Sequence, residues 1–240
     1  RDKLVTGVQT CALPISKPKF YPTESPGGLY VTTRRNADAD RFYWRITQWL
    51  MPCFSFFPPY GDNPYGGHAF VPIDDESCWT FSIDYHPRRP LTETELKAMH
   101  EGKGIHVQLT AGTFTPEANK RNDDRMDRAA QKAKKTFSGV LCVGVQDAAV
   151  QESMGPIQDR ARENLVGSDN NIIMARRRLR EAAEAVARGA APPGLDPAVQ
   201  RARALSMVVP RDLPLLDAIA QHTPVTPATP VTPATPVTPA

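Results

Sequence analysis

Five histidines, at 68, 86, 100, 106 and 222, are the residues of this 240-residue chain best suited to hold a metal, since iron and zinc both favour imidazole. His100 and His106 are separated by a stretch that contains Gly102 and Gly104. That is loop spacing rather than the i, i+4 pairing that puts two ligands on one helix face, and it places both on the surface. His68 follows Gly66-Gly67 at the start of a strand, where it either lines a cavity or hydrogen-bonds within the turn. His86 precedes Pro87 at a strand end, and His222 falls in the tail. Spacing alone assembles no metal site from this set. The cysteines, at 11, 53, 78 and 142, show neither CxxC nor zinc-type spacing, which fits reduced thiols in a cytoplasmic protein. No Gly-rich phosphate loop, nucleophile elbow or zinc-protease helix is present.

The carboxylates say more. Asp147 directly follows the apolar run Phe137–Val145, which reads as a strand, and a helical turn follows as far as Gly155-Pro156. An acid at such a junction is either an N-cap or a ligand held at a cavity mouth by two rigid elements. Asp159 lies beyond the break, in Ile157-Gln158-Asp159-Arg160.

These residues need a frame, and the pattern predicts an α+β one: an antiparallel sheet followed by helices. Leu29–Thr33 and Phe42–Phe57 are rich in aromatic and β-branched residues, as strands are. Alternation puts Phe42, Trp44, Ile46 and Gln48 on one face and Tyr43, Arg45, Thr47 and Trp49 on the other. Neither face is purely polar, as expected of a sheet with one face on a helix and the other lining a cavity. The turn formers Pro58–Pro64 come next, and then His68–Ile73 and Cys78–Tyr85 flank Asp74–Ser77 as a hairpin. Thr92-Glu93-Thr94-Glu95 has capping-box spacing and starts a short helix to about His100. A longer helix starts at Ser168 or Asp169 and runs to about Arg188. Its apolar stripe is Ile172, Ala175, Leu179, Ala182 and Val186, and Arg176, Arg177, Arg178 and Arg180 form a solvated opposite side. Pro192-Pro193-Gly194 ends the compact part.

Composition narrows the function classes. Hydrophobic residues are 40% and charged residues 23%, the balance of a globular protein. A net charge of +3, with no basic stripe interleaved with aromatics, argues against nucleic acid. The longest apolar stretches, Leu50–Phe57 and Val140–Val145, fall far short of a membrane span, and no signal peptide is recognisable. The ends read as foreign to the fold. Residues 5–15 resemble, codon for codon, the in-frame translation of a common sequencing-adaptor oligonucleotide, so 1–16 are taken as non-native. Residues 206–240 read as a Pro/Thr-rich tail, closing on three copies of Thr-Pro-Val-Thr-Pro-Ala from Thr223. Proline at every third position there favours an extended, unpacked chain.

Several segments carry a family resemblance. Trp44-Arg45-Ile46-Thr47-Gln48-Trp49-Leu50-Met51-Pro52 and the stretch Gly67–Glu76 are two of them. Gln146-Asp147, running into Gln151-Glu152-Ser153-Met154-Gly155-Pro156-Ile157-Gln158-Asp159-Arg160, is another, and Asn170–Arg176 completes the set. Together they are similar to the catalytic domain of phthalate-dioxygenase-like Rieske non-haem iron aromatic-ring-hydroxylating oxygenase large (alpha) subunits, over about residues 17–205. The resemblance implies a helix-grip (START/Bet v 1-like) fold, an antiparallel sheet around a long C-terminal helix. It also implies a mononuclear Fe(II) held by two histidines and one carboxylate, fed by a Rieske [2Fe–2S] cluster. The chemistry is hydroxylation or O-demethylation of an aromatic small-molecule substrate. An NAD(P)H-dependent reductase supplies electrons, and the subunits form a homotrimer.

The Cys-x-His and Cys-x-x-His cluster motifs do not occur here. The resemblance puts them in a missing N-terminal domain and puts the two iron histidines upstream of the sheet. Of the iron site it leaves the carboxylate, Asp147, with Asp159 as the alternative. His68 and Phe70 are nominated as pocket walls, and Arg45 either pairs with a substrate carboxylate or snorkels to solvent. A fragment with one iron ligand is expected to be inactive alone. A non-enzymatic helix-grip module binding a hydrophobic ligand is the alternative, and an interaction protein using the proline tail is a third reading.

Overall fold

Strand alternation organises the molecule, a computed structural model that describes residues 17–197, 199 and 203–223. The adaptor-like segment 1–16 and the Thr-Pro repeats from 224 onward lie outside the described residues. Seven strands form one antiparallel sheet: β1 (Lys19–Ser25), β2 (Gly28–Asn36), β3 (Arg41–Leu50), β4 (Phe54–Phe57), β5 (Tyr65–Pro72), β6 (Cys78–Tyr85) and β7 (Leu205–Pro210). The first six lie in chain order. β2 pairs along the whole of one edge of β3, while the other edge is shared end to end, β4 on Gln48–Leu50 and β7 on Arg41–Ile46. The helices are α1 (Glu93–His100), α2 (Arg128–Lys132), α3 (Val143–Ser153), α4 (Asn170–Ala187) and α5 (Leu215–His222).

One face of β3 is the core. Trp44 and Ile46 pack with Leu205, Met207 and Val209 of β7 and with Ala218 and Ile219 of α5, all buried. Removing this apolar surface from water is the main favourable term holding α5 to the sheet. The tail assigned to 206–240 therefore begins too early. Residues 206–222 contain most of β7 and all of α5. Their apolar alternation, Leu205, Met207, Val209, is short and lies between proline-rich stretches whose composition dominates that part of the sequence.

Two other elements differ from expectation. The segment Phe42–Phe57 is two strands, divided by a turn at Met51-Pro52-Cys53. Phe137–Val145 is not a strand. Gly139 adopts a positive φ of 84°, residues 137–142 are irregular, and α3 begins at Val143. Val140 and Val145 are buried while Leu141 is 91% exposed, so the run has no two-residue alternation for a sheet edge to use.

The β5–β6 hairpin and the capping box of α1 form as read. Asp74 accepts from the amides of Glu76 and Ser77, and Thr92 and Glu95 bond reciprocally. α4 is present, but rotated from its predicted orientation. Ile172, Leu179 and Val186 remain substantially exposed, whereas Arg176 and Arg178 turn inward to ion pairs with Glu163 and Glu24. Arg176 and then Arg160 hold the Glu163 carboxyl down to about 2.

Met207→Ala should lower unfolding free energy by about 2–4 kcal/mol, and Leu216→Ala, on the exposed side of α5, should stay within about 0.5 kcal/mol; denaturant titration compares them. A carboxyl depressed when folded stabilises above its unfolded value of 4.5, and loses that contribution as pH falls toward 2. The melting temperature of the unmodified protein should thus drop over that window more steeply than that of Glu163→Gln, and the two curves should converge near its lower end.

Candidate functional site

Opposite the core, β3 presents Tyr43, Arg45, Thr47 and Trp49, all half-buried. Register extends this second face across the sheet. Trp49 is opposite Ser55 of β4, Ser55 is opposite His68 of β5, and His68 is opposite Ser82 of β6. One pair further along, Phe57, Gly66 and Asp84 form the next row. A Cβ on Gly66 would come within 2.4 Å of the Phe57 ring, so glycine there lets that ring lie against the strand.

Helical and loop segments flank the face at its two ends. At the β1–β2 end, Glu24 shares it with Leu29, and Arg177 and Arg178 of α4 donate to Glu24 at 2.9 and 3.0 Å. At the β6 end the loop through Ile105 and His106 lies over the strand. Ser82 Oγ donates to the Ile105 carbonyl at 3.0 Å, and His106 Nε2 sits 3.0 Å from Asp84 Oδ2. α3 rests on this loop. Gly144 N–H donates to the Gly104 carbonyl at 3.2 Å, and Cys142 Sγ donates to the His106 carbonyl at 2.7 Å. A Cβ on Gly144 would stand 2.6 Å from the Ile105 oxygen, so only glycine allows that approach. The β3–β4 strip is the floor between these two flanks.

His68 stands on this floor. Its ring lies 5.4 Å from Phe70 and 6.3 Å from Phe57, centroid to centroid, and its Nδ1 is 3.4 Å from Ser82 Oγ. Burial pushes its pKa down, and the carboxylate of Asp147 acts against that shift. With its proton on Ile105, the Ser82 hydroxyl faces His68 as an acceptor. That favours the tautomer with hydrogen on Nδ1 and leaves a lone pair on Nε2.

Asp147 is exposed in the second turn of α3, whose N-cap is Cys142. It is therefore neither at a strand end nor a capping residue, as the strand reading of Phe137–Val145 required. It accepts no hydrogen bond among the described residues, yet its charge is felt at His68. Asp159 is used locally: its Oδ1 accepts from Ala161 N–H at 3.0 Å and caps the short turn Arg160–Arg162. Phe70 is exposed beside His68.

The pair His106–Asp84 was not legible as part of the site. Surface placement of His106 is corrected by its side chain, only 12% exposed and engaged with a carboxylate. Its neighbours Ile105 and Val107 are apolar, and Asp84 alternates with Ser82 along β6; those are the signals that pointed there. His86 is likewise packed, its side chain 4% exposed and 3.3 Å from Asp62. Among the described residues no group of three or more His, Cys, Asp or Glu side chains converges as a metal site. His106 is engaged by Asp84 and His68 by Ser82, so these donors fit an iron centre only through the single carboxylate of Asp147. No helix among the described residues is long and apolar enough to cross a membrane.

Comparison with known proteins agrees with the motif resemblance. The family model "LigXa C-terminal domain like" matches residues 24–223, a span that includes β7 and α5. The 3-chlorobenzoate-3,4-dioxygenase oxygenase subunit of Comamonas testosteroni is 31% identical over 196 residues, 76% of this chain and 45% of that protein. The phthalate 4,5-dioxygenase oxygenase subunit of Pseudomonas putida is 33% identical over 171 residues, 69% of this chain and 37% of that protein. The chain spans less than half the length of these curated relatives. By the extent of these matches and the motifs they cover, the chain belongs to the LigXa C-terminal-domain-like family and is related to the oxygenase subunits of aromatic dioxygenases.

Proposed function

We propose that this chain is the catalytic portion of an oxygenase subunit that, when complete, uses mononuclear Fe(II) and dioxygen to hydroxylate or O-demethylate an aromatic substrate. The observation that carries the reading is Asp147. Its carboxylate is exposed and accepts no hydrogen bond among the described residues, and it lies within electrostatic reach of the His68 floor. The relatives named for 3-chlorobenzoate and phthalate support an aromatic substrate.

In this reading α4 is the helix gripped by the sheet. Asp147 is one iron ligand, and the two histidine ligands and the Rieske cluster belong to sequence outside this chain. An NAD(P)H-dependent reductase, a homotrimeric assembly and a cytoplasmic location go with it. Bound Fe(II) would supply oxygen activation, and Asp147 would be the one ligand this chain contributes. The chain's own residues do other work. Phe57 and Phe70 offer ring contacts beside His68, whose pKa burial pushes down, and the Nε2 lone pair of neutral His68 can accept a hydrogen bond from a substrate hydroxyl. Gly144 and Cys142 fix α3, and with it Asp147, against the loop that carries His106.

Purified as it stands, the 240-residue chain should hold substoichiometric iron and show no Rieske absorbance; tightly bound stoichiometric iron would mean the site is misread. In the protein extended to the length of its relatives, both Asp147→Ala and Asp147→Asn should strip mononuclear iron and abolish turnover while leaving the cluster spectrum intact, because a neutral amide is a poor Fe(II) ligand. Asp159→Asn should keep both. Iron retained in Asp147→Asn and lost in Asp159→Asn would move the ligand to Asp159.

A further inference from the structure

We propose that the outer edge of β6 is a self-association surface. A second copy of this chain adds its own β6 there, antiparallel, about a twofold axis at Ser82. The proposal goes beyond the oxygenase reading and does not rest on it.

The two edges of the sheet differ in how they discourage a further strand. β1 pairs only with β2, and β6 only with β5, so each has one side without a strand. β1 carries Lys19 and, in its middle, Pro22, which has no amide to donate, and Glu24 ties it to α4. Charge and proline of this kind keep an edge from pairing. β6 has neither proline nor lysine. Its sequence, Cys-Trp-Thr-Phe-Ser-Ile-Asp-Tyr, is rich in aromatic and β-branched residues, and its one charge, Asp84, is engaged by His106. Among the described residues, no backbone hydrogen bond reaches the outer edge of Cys78–Tyr85. Trp79 and Phe81 are 42% and 53% exposed, and Phe114, the ring beside Trp79, is exposed as well.

Charge selects the occupant and the register. The turn before β6 is acidic, with Asp75 and Glu76 exposed, and the segment after it is basic, with Arg88 and Arg89. The Arg88 side chain is 77% exposed even with Asp62 beside it. An antiparallel second copy brings the acidic end of each β6 to the basic end of the other. A twofold axis perpendicular to the sheet keeps each face on its own side, so opposed residues are both odd or both even. With the axis at Ser82, Trp79 faces Tyr85 of the second copy and Phe81 faces its Ile83, apolar on apolar. Beyond the strand, Glu76 then comes opposite Arg88, and Asp75 opposite Arg89. Moving the axis to Phe81 puts Ile73 opposite Arg89. Moving it to Ile83 puts Ser77 and Cys78 opposite the two arginines. Only the Ser82 register satisfies both the strands and the charges.

The test is the oligomeric state of the 240-residue chain, followed by sedimentation velocity up to about 1 mM, with hydrogen exchange measured at both ends of the range. A dimer is expected. Where it is populated, the amides of Cys78–Ser82 should exchange more slowly, while those of β1 keep their rates. Phe81→Lys, which puts a charge on the paired edge, should raise the dimer dissociation constant about tenfold or more. Glu76→Arg and Arg88→Glu should each raise it about threefold to tenfold, because symmetry removes two exposed ion pairs at once. Combining these two reversals should restore the dimer, since the exchanged charges face each other again. Circular dichroism confirms that each variant is folded; if one is not, β6 exchange in the unmodified chain decides. A chain that stays monomeric throughout, an assembly that forms without slowed exchange in β6, or a double variant no tighter than the single ones would each overturn the pairing.

Discussion

The two-residue alternation of β3 is the constraint on which everything else depends. One set of side chains, centred on Trp44 and Ile46, must leave water, and it does so against β7 and α5. The pleat then forces the other set, Tyr43 to Trp49, to the opposite side, where they stay half-buried. β3 touches β2 along one edge and both β4 and β7 along the other, so its facing is transmitted to the rest of the sheet. A slip of one residue would exchange Ile46 for Arg45 in the core. The hydrophobic core thus selects the face that is left for a ligand.

Chemistry on that open face is assembled from parts distant in sequence. His68 comes from β5, Ser82 and Asp84 from β6, His106 from a loop, and Asp147 from α3. Glycines at the contact points make the assembly close: Gly66 admits the Phe57 ring and Gly144 admits the Ile105 carbonyl. Burial pushes the His68 pKa down, whereas Asp147 stays exposed on α3. A ring-lined floor with a carboxylate at one end suits a flat aromatic ligand.

What the sequence made legible follows from how local each signal is. The β5–β6 hairpin and the start of α1 were readable because Asp74 and the Thr92–Glu95 box act within a few residues. Alternation in β3 announced two unlike faces. β7 was not readable, because six residues of weak alternation beside proline repeats acquire their meaning only by pairing with β3, far away in the chain. Phe137–Val145 misled for the converse reason: its apolar composition suits a strand, but no sheet edge meets it. Asp147 was nominated by motif resemblance, which did not convey its setting inside a helix. His106 escaped because its partner Asp84 lies on another element, and the apolar neighbours Ile105 and Val107 signal burial without naming that partner.

Ligand is expected to bind the face opposite the core. Indole resonances report it directly, since Trp44 lies in the core, Trp49 on the open face and Trp79 on the β5–β6 hairpin against Phe114. With the tryptophans labelled with nitrogen-15, titration with benzoate should shift the Trp49 indole signal in proportion to occupancy and leave Trp44 and Trp79 in place. A shift confined to Trp44 or Trp79, with Trp49 unmoved at saturation, would contradict the assignment of that face as the site.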